Sequence, residues 1–281
     1  MNKAAGDGMG FTLAPAALAD EYRLEFFPVV GSTNAEALAQ ANAGDAGRHW
    51  FVSPKQESGR GRRGRTWTAP EGNLAATLLL VERFDPKTAA TLGFVAGLAL
   101  ADAVDAVLPE AVAARVNVAL KWPNDVLVDG AKLSGILLES TMLSDGRFGI
   151  AIGMGTNVVA APEGLPYAAT SINGLGGNTD AATLFLALSD AWCQYYRIWD
   201  QGRGLNNIRE LWLKRAHGLG QPVAMQLNGR IVEGVFETID SECRLVIRED
   251  DGRRVPVTAG DVYFGTAASV KAVSRSNICA Q

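Results

Sequence analysis

Histidine and cysteine are both scarce in this chain of 281 residues, which has only His49 and His217 and three widely spaced cysteines, Cys193, Cys243 and Cys279. They offer no metal-ligand spacing, which excludes a zinc-type centre, and no disulfide framework. A reducing cytoplasm is the simplest setting. A basic excess is missing too: 26 Lys and Arg face 30 Asp and Glu, for a net charge of −4. A DNA-binding surface would therefore need strongly segregated cations. The N-terminal stretch carries Asp7 and no continuous apolar run, so it does not read as a secretory signal. The longest apolar stretch, Leu92 to Leu108, is interrupted by Asp102 and Asp105. It reads as a buried helix rather than the roughly 20-residue apolar span a membrane requires. No membrane association is expected.

What is present is 48% hydrophobic residues, enough for one large core and a small second domain. One short run is strongly basic: Gly59-Arg60-Gly61-Arg62-Arg63-Gly64-Arg65, followed by Trp67. Glycine lets backbone approach a ligand closely, and the guanidinium fork matches carboxylate and phosphate oxygens. An anionic ligand is expected there. A solvated loop or a nucleic-acid patch would satisfy the same run.

The pattern predicts a strand over Tyr22 to Val30, then a helix to about Gly44 opened by Thr33 and Glu36 at capping-box spacing. Strands near Trp50 to Lys55 and Leu74 to Val81 flank the arginine-glycine loop, placing it on a rigid scaffold. Asp85-Pro86 caps a long helix reaching about Leu108. Strand character resumes at Val116, and the Asp129-Gly130 and Asp145-Gly146 turns predict a three-stranded antiparallel meander ending near Val159. Helices follow over Thr179 to about Trp199 and Leu205 to about Ala216. After Gly220 come short strands punctuated by Asn228-Gly229, Ser241-Glu242 and Asp251-Gly252, the spacing of a small β-barrel. The expected division is an N-terminal extension over 1–20, a catalytic unit over 21–218, a barrel over 219–268 and a disordered tail over 269–281.

Hairpin register suggests where chemistry sits. With Asp129-Gly130 as a two-residue turn, Leu127 faces Lys132 and Asp125 faces Ser134, so Asp125 and Lys132 share a face as diagonal neighbours roughly 7–8 Å apart. A lysine that neutralises developing negative charge and a carboxylate that holds a phosphate-bound metal would then occupy one site. A cross-strand ion pair on a solvated face fits the spacing equally. The apolar flanks Leu133, Ile136, Leu137 and Leu138 favour an anionic partner for Lys132. Gly135 marks a bulge or a close approach. Gly153-Met154-Gly155-Thr156-Asn157 is either a turn or a polar ligand contact, and Trp67 either packs in the core or stacks on a purine.

Taken together, several separated strings resemble the biotin protein ligase family: Ser32-Thr33-Asn34, the run Gln56 to Trp67, Lys121-Trp122-Pro123-Asn124-Asp125, the run Lys132 to Glu139, and Gly153 to Asn157. The likeness covers about Tyr22 to Ala216. It implies an α+β fold, a class II synthetase-like, biotin/lipoate ligase catalytic domain with a mixed β-sheet flanked by helices, plus a small C-terminal SH3-like barrel. The implied activity is formation of biotinyl-5′-AMP from biotin and ATP with Mg²⁺, then transfer to one lysine of a biotin carboxyl carrier domain of a biotin-dependent carboxylase, with a homodimer possible.

By the same resemblance, Lys132, Arg62 and Asp125 are catalytic. Biotin lies against Ser32, Thr33, Asn34, Gln56, Gly59, Arg60, Gly61, Arg62, Lys132 and Gly135. ATP contacts Arg62, Arg65, Trp67, Lys121, Asn124 and Asn157, and Asp125 holds Mg²⁺. The arginine-glycine loop is expected to close over the adenylate, with Arg63 facing solvent. A lipoate ligase or octanoyltransferase of the same fold is the alternative enzyme, and an arginine-rich nucleic-acid binder the alternative outside enzymes.

Three departures stand out. About 20 residues precede the first catalytic strand, where repressor-type members carry a helix-turn-helix, so no DNA binding is expected. Gly31 stands where the family commonly has an acidic residue. Ser241-Glu242-Cys243 replaces a glycine-containing turn.

Overall fold

A computed structural model describes residues 10–227, 230–258, 260 and 262–264. In chain order the elements are α1 (Pro15–Ala19), β1 (Arg23–Phe26), α2 (Thr33–Asn42), β2 (His49–Ser53), β3 (Leu74–Glu82), α3 (Pro86–Ala90), α4 (Leu92–Val107) and α5 (Glu110–Ala113). Then come β4 (Val118–Lys121), β5 (Asp125–Val128), β6 (Ala131–Met142), β7 (Phe148–Thr156), α6 (Ala181–Trp199), α7 (Leu205–Lys214), β8 (Pro222–Leu227), β9 (Arg230–Ile239), β10 (Leu245–Arg248), β11 (Arg254–Val257) and β12 (Tyr263–Phe264).

Seven strands form a mixed sheet in the order β1-β2-β3-β7-β6-β5-β4, in which only β1 and β2 run parallel. Strand alternation gives this sheet two different faces. One carries Leu78, Leu80, Ile136, Ile152 and Met154 into the large core beneath α4 and α6. The other carries Leu79, Val81 and Ala151 under α2 in a smaller cluster. That second face bears the site. The segment 86–107 is long and hydrophobic enough by composition to cross a membrane, and its most apolar 18-residue window is 72% buried inside the fold. Its longer part, α4, is a core helix of the domain.

Several expectations need correction. Residues 11–20, expected as part of an extension, pack on the domain: Phe11, Leu13 and Ala17 are in the core, and the Ala14 amide donates to the Ser189 hydroxyl on α6. Ser32 rather than Thr33 caps α2, because Thr33 is turned inward by other partners. The helix expected from Pro86 to Leu108 breaks at Thr91, whose hydroxyl donates back to the Thr88 carbonyl and accepts from the Trp199 indole. The β5–β6 hairpin has the expected turn, but a bulge shifts the register, so that Asp125 faces Gly135 and Ser134 faces Val126.

The second sheet has five antiparallel strands in the order β11-β10-β9-β8-β12. Turns lie at Ser241-Glu242 and Asp251-Gly252 as expected. Asn228-Gly229 and the tail 269–281 lie outside the described residues. At the glycine-poor turn Cys243 takes φ +60°, a left-handed conformation that usually selects glycine. Its carbonyl accepts a hydrogen bond from the buried Trp122 indole at 3.2 Å, tying the second sheet to the segment that leads into β5.

Candidate functional site

Backbone pairing sets the site's entrance. Val30 pairs with Gln56 beyond the end of the β1–β2 ladder, and the Ser58 amide donates to the Gly31 carbonyl. The N-terminus of α2 therefore sits beside the root of the arginine-glycine loop. A Cβ on Gly31 would meet nothing within 4 Å, so sterics do not require glycine there.

From that juncture a buried polar network runs inward. Gln56 Oε1 accepts from the Thr33 amide at 2.8 Å and the Thr33 hydroxyl at 3.0 Å. The Thr77 hydroxyl lies 2.7 Å from Thr33 Oγ1 and 2.6 Å from Asn34 Oδ1. Asn34 Nδ2 donates to Glu139 at 2.8 Å. Thr33, Asn34 and Thr77 are all buried. Polar groups concentrated under an aliphatic sheet carry a desolvation cost, so each must be matched, as these are.

Missing side chains make room for the network and its neighbours. Gly153 and Gly155 on β7 and Gly135 on β6 all face the site. A Cβ on Gly153 would collide with the Asn34 amide, and one on Gly155 would stand 2.5 Å from Trp67 Nε1. Trp67 thus lies flat on a glycine floor. Its indole N–H is buried without an acceptor among the described residues.

The arginine-glycine segment is a small hairpin. Trp67 N donates to Gly59 O and Gly61 N to Arg65 O, with a tight turn at Arg62–Gly64 in which Arg63 takes φ +57°. Arg60 reaches Glu139 at 3.1 Å, and Arg62 donates to Asn124 Oδ1 at 2.9 Å and to the Gly260 carbonyl at 3.3 Å. Arg63 is exposed as expected, and so is Arg65. Asn124 is held by the Ile136 carbonyl as well.

At the hairpin end, Lys132 Nζ stands 2.7 Å from Asp125 Oδ1, each side chain 19% exposed. The two side chains meet across the bulged hairpin, the long lysine chain spanning the offset between their backbone positions. The ammonium also lies 5.6 Å from the ring centroids of Trp67 and of Tyr167. Lys121, at the end of β4, lies 5.7 Å from the Phe264 ring of the second sheet. His217 meets the same ring edge-on at 4.8 Å, and burial together with Lys121 lowers its pKa below 6.5.

The structure thus brings together Ser32, Thr33, Asn34, Gln56, Gly59, Arg60, Gly61, Arg62, Trp67, Asn124, Asp125, Lys132 and Gly135 around one sheet face. Asn157 is different. It is 2% exposed, and its amide donates to the Thr170 carbonyl, so it secures the segment 157–173 from beneath. Sequence reading missed Thr77, Glu139 and Tyr167. The lone hydroxyl of Thr77 inside an aliphatic strand was a usable signal; Tyr167 had none.

No three His, Cys, Asp or Glu side chains cluster into a metal site among the described residues. Asp125 alone could contribute a carboxylate to a metal whose other ligands come from phosphates and water, the usual manner for magnesium.

Comparison with known proteins follows the same outline. A family model for the biotin/lipoate A/B protein ligase family matches residues 27–157, and one for the biotin protein ligase C-terminal domain matches residues 218–265. The biotin--[acetyl-CoA-carboxylase] ligase of Paracoccus denitrificans is 40% identical over 240 residues, covering 83% of this chain and 97% of the relative. The biotin protein ligase of Leishmania major, solved with biotinyl-5-AMP, is 29% identical with TM-score 0.57, covering 85% of this chain and 98% of that one. The Aquifex aeolicus enzyme, solved with biotin and ATP, shares the fold at TM-score 0.72 and 22% identity, covering 86% and 99%.

Proposed function

The chain belongs to the biotin protein ligase family, and from that membership we propose that it is an ATP-dependent ligase attaching biotin to a lysine of a biotin carboxyl carrier domain. The observation that carries this reading is the adjacency, on one sheet face, of the Thr33–Gln56–Thr77–Asn34 network and the Lys132–Asp125 pair. A ureido head needs paired donors and acceptors, which the network supplies. A lipoyl chain does not need them.

In the first half-reaction a biotin carboxylate oxygen attacks the ATP α-phosphorus, the bond to the bridging oxygen breaks, and pyrophosphate leaves. Two anions must approach, so cations have to offset their repulsion. In this reading Lys132 serves the reacting carboxyl and phosphate oxygens, Arg60 and Arg62 approach from the loop, and the Trp67 indole faces the nucleotide, a reading supported by the Lys132–Asp125 pair and the inward partners of the two arginines. Lys121 and Asn124 stand at the same end, and Arg65 at the loop's exposed edge. A magnesium ion, held by Asp125, would supply Lewis-acid neutralisation of the phosphates.

In the second half-reaction the carrier lysine amine attacks the acyl carbon, AMP departs with the bonding pair, and the amine loses a proton. Lys132 can hold the developing oxyanion. Water would destroy the mixed anhydride, which gives the loop a reason to cover it. We take the catalytic unit as class II synthetase-like and the five-stranded module as an SH3-like barrel, a reading supported by the module's antiparallel order and short turns.

Arg60 and Arg62 are engaged inward, with Glu139 and with Asn124, which speaks against a broad nucleic-acid surface. The deciding experiment is mass spectrometry of a carrier domain incubated with the protein, biotin and MgATP. A single biotinyl mass gain is expected; no gain on a carrier that another biotin ligase modifies would overturn the reading.

A further inference from the structure

Tyr167 is a large aromatic side chain, 46% exposed, that belongs to neither of the two hydrophobic clusters. Packing does not account for its position. The backbone around it does something more specific: the Lys132 amide donates to the Ala168 carbonyl at 2.8 Å, and the Thr170 amide donates to the Lys132 carbonyl at 2.9 Å. The segment carrying Tyr167 is therefore registered on Lys132 itself. Its ring centroid lies 5.6 Å from Lys132 Nζ, as does that of Trp67, which arrives from the arginine-glycine hairpin.

We propose that Tyr167 is a positioning residue whose ring, together with Trp67, cages the Lys132 ammonium over the Gly135–Gly155 floor and holds it aimed at the reacting carboxyl and phosphate oxygens. The inference rests on the biotin ligase reading of this site. The physical need follows from Asp125. That carboxylate is the anionic partner shown for Lys132, and any cation drawn to it with the nucleotide competes for the same oxygens. A ring face attracts an ammonium without accepting its proton and without supplying a full negative charge that would repel phosphate. Two rings on opposite segments then keep Nζ in place whether or not Asp125 is engaged. The N–H donors stay free for the ligand.

The test compares Tyr167→Phe with Tyr167→Leu in the full chain, both conservative at a half-exposed position. Pyrophosphate release at saturating biotin and ATP should fall about two- to thirtyfold in the leucine variant, the range set by the strength of a cation–π contact. The phenylalanine variant should stay within about twofold of wild type, and KM for biotin should be unchanged in both. Independently of turnover, the lysine Cε–Hε NMR signal that Lys132→Arg removes should move downfield in ligand-free Tyr167→Leu, because a shielding ring has gone. Full turnover in the leucine variant, equal losses in both variants, or an unmoved Lys132 signal overturns the proposal. An inactive wild type would instead overturn the ligase reading, and the NMR measurement would still decide whether the ring holds the lysine.

Discussion

The Lys132 ammonium stands 2.7 Å from the Asp125 carboxylate across the β5–β6 hairpin, in which a bulge sets Asp125 opposite Gly135. A lysine so held is charge-balanced at rest, and in the proposed reaction it would meet the negative charge that develops. Lys132→Ala should therefore lower adenylate formation about 10²–10³-fold, the scale of one oxyanion-type donor. Pyrophosphate release measures this directly, and near-normal release would remove Lys132 from its role.

Arg60 is joined to Glu139 on β6, so the arginine-glycine hairpin is latched to the network that holds Asn34. Trypsin should cut at the loop arginines more slowly once biotin and ATP are bound. Glu139→Gln, which removes the anionic latch, should speed cutting in the free protein. Equal rates with and without ligands would count against closure.

Gly155 has a Cβ direction that points into Trp67, with Nε1 at 2.5 Å and Cε2 at 2.6 Å. Gly155→Ala must displace the indole from its floor or strain the sheet, a cost of about 1–3 kcal/mol for an overpacked site. Weaker nucleotide binding at nearly unchanged secondary structure is expected, seen by calorimetry with a non-hydrolysable ATP analogue alongside circular dichroism. Wild-type nucleotide affinity in this variant would show that Trp67 need not lie on the floor.

His217 carries a depressed pKa, caused first by burial and then by Lys121. Below pH 6.5 the unfolded chain gains a proton at this residue while the folded chain resists it. Its contribution to stability is thus fully present above pH 6.5 and is lost as pH falls toward the folded pKa. Urea unfolding at pH 7.5 and pH 5.5 should show a loss that His217→Phe reduces. An identical pH dependence in that variant would clear His217 of the effect.

Much of the site was legible because its chemistry is carried by short strings: the arginine-glycine run, Ser32-Thr33-Asn34, and the lysine and carboxylate flanking an Asp-Gly turn. Local patterning also announced most strands and helices. Where it failed, a non-local partner had won. Thr33 has the spacing of a cap, yet it is claimed by Gln56 and Thr77, residues far along the chain, leaving Ser32 to cap α2. Pro86 to Leu108 reads as one helix, yet Thr91 bonds to Trp199 and the helix breaks there. Asn157 reads locally as a turn or a ligand contact, and its amide donates to Thr170, thirteen residues further on.

Periodicity and turn chemistry by themselves determined most strands and helices, and the arginine-glycine run and the lysine after the Asp-Gly turn stood out as short strings, because these depend on near neighbours along the chain; the kind of fold was legible only from the resemblance of several strings together. Only the tertiary structure decided that the hairpin bulges, that Gly135, Gly153 and Gly155 form a floor for Trp67 and Asn34, and that Arg62 reaches both Asn124 and Gly260 between β11 and β12. Those outcomes turn on a few tenths of an ångström of packing between segments distant in sequence, which no local pattern encodes.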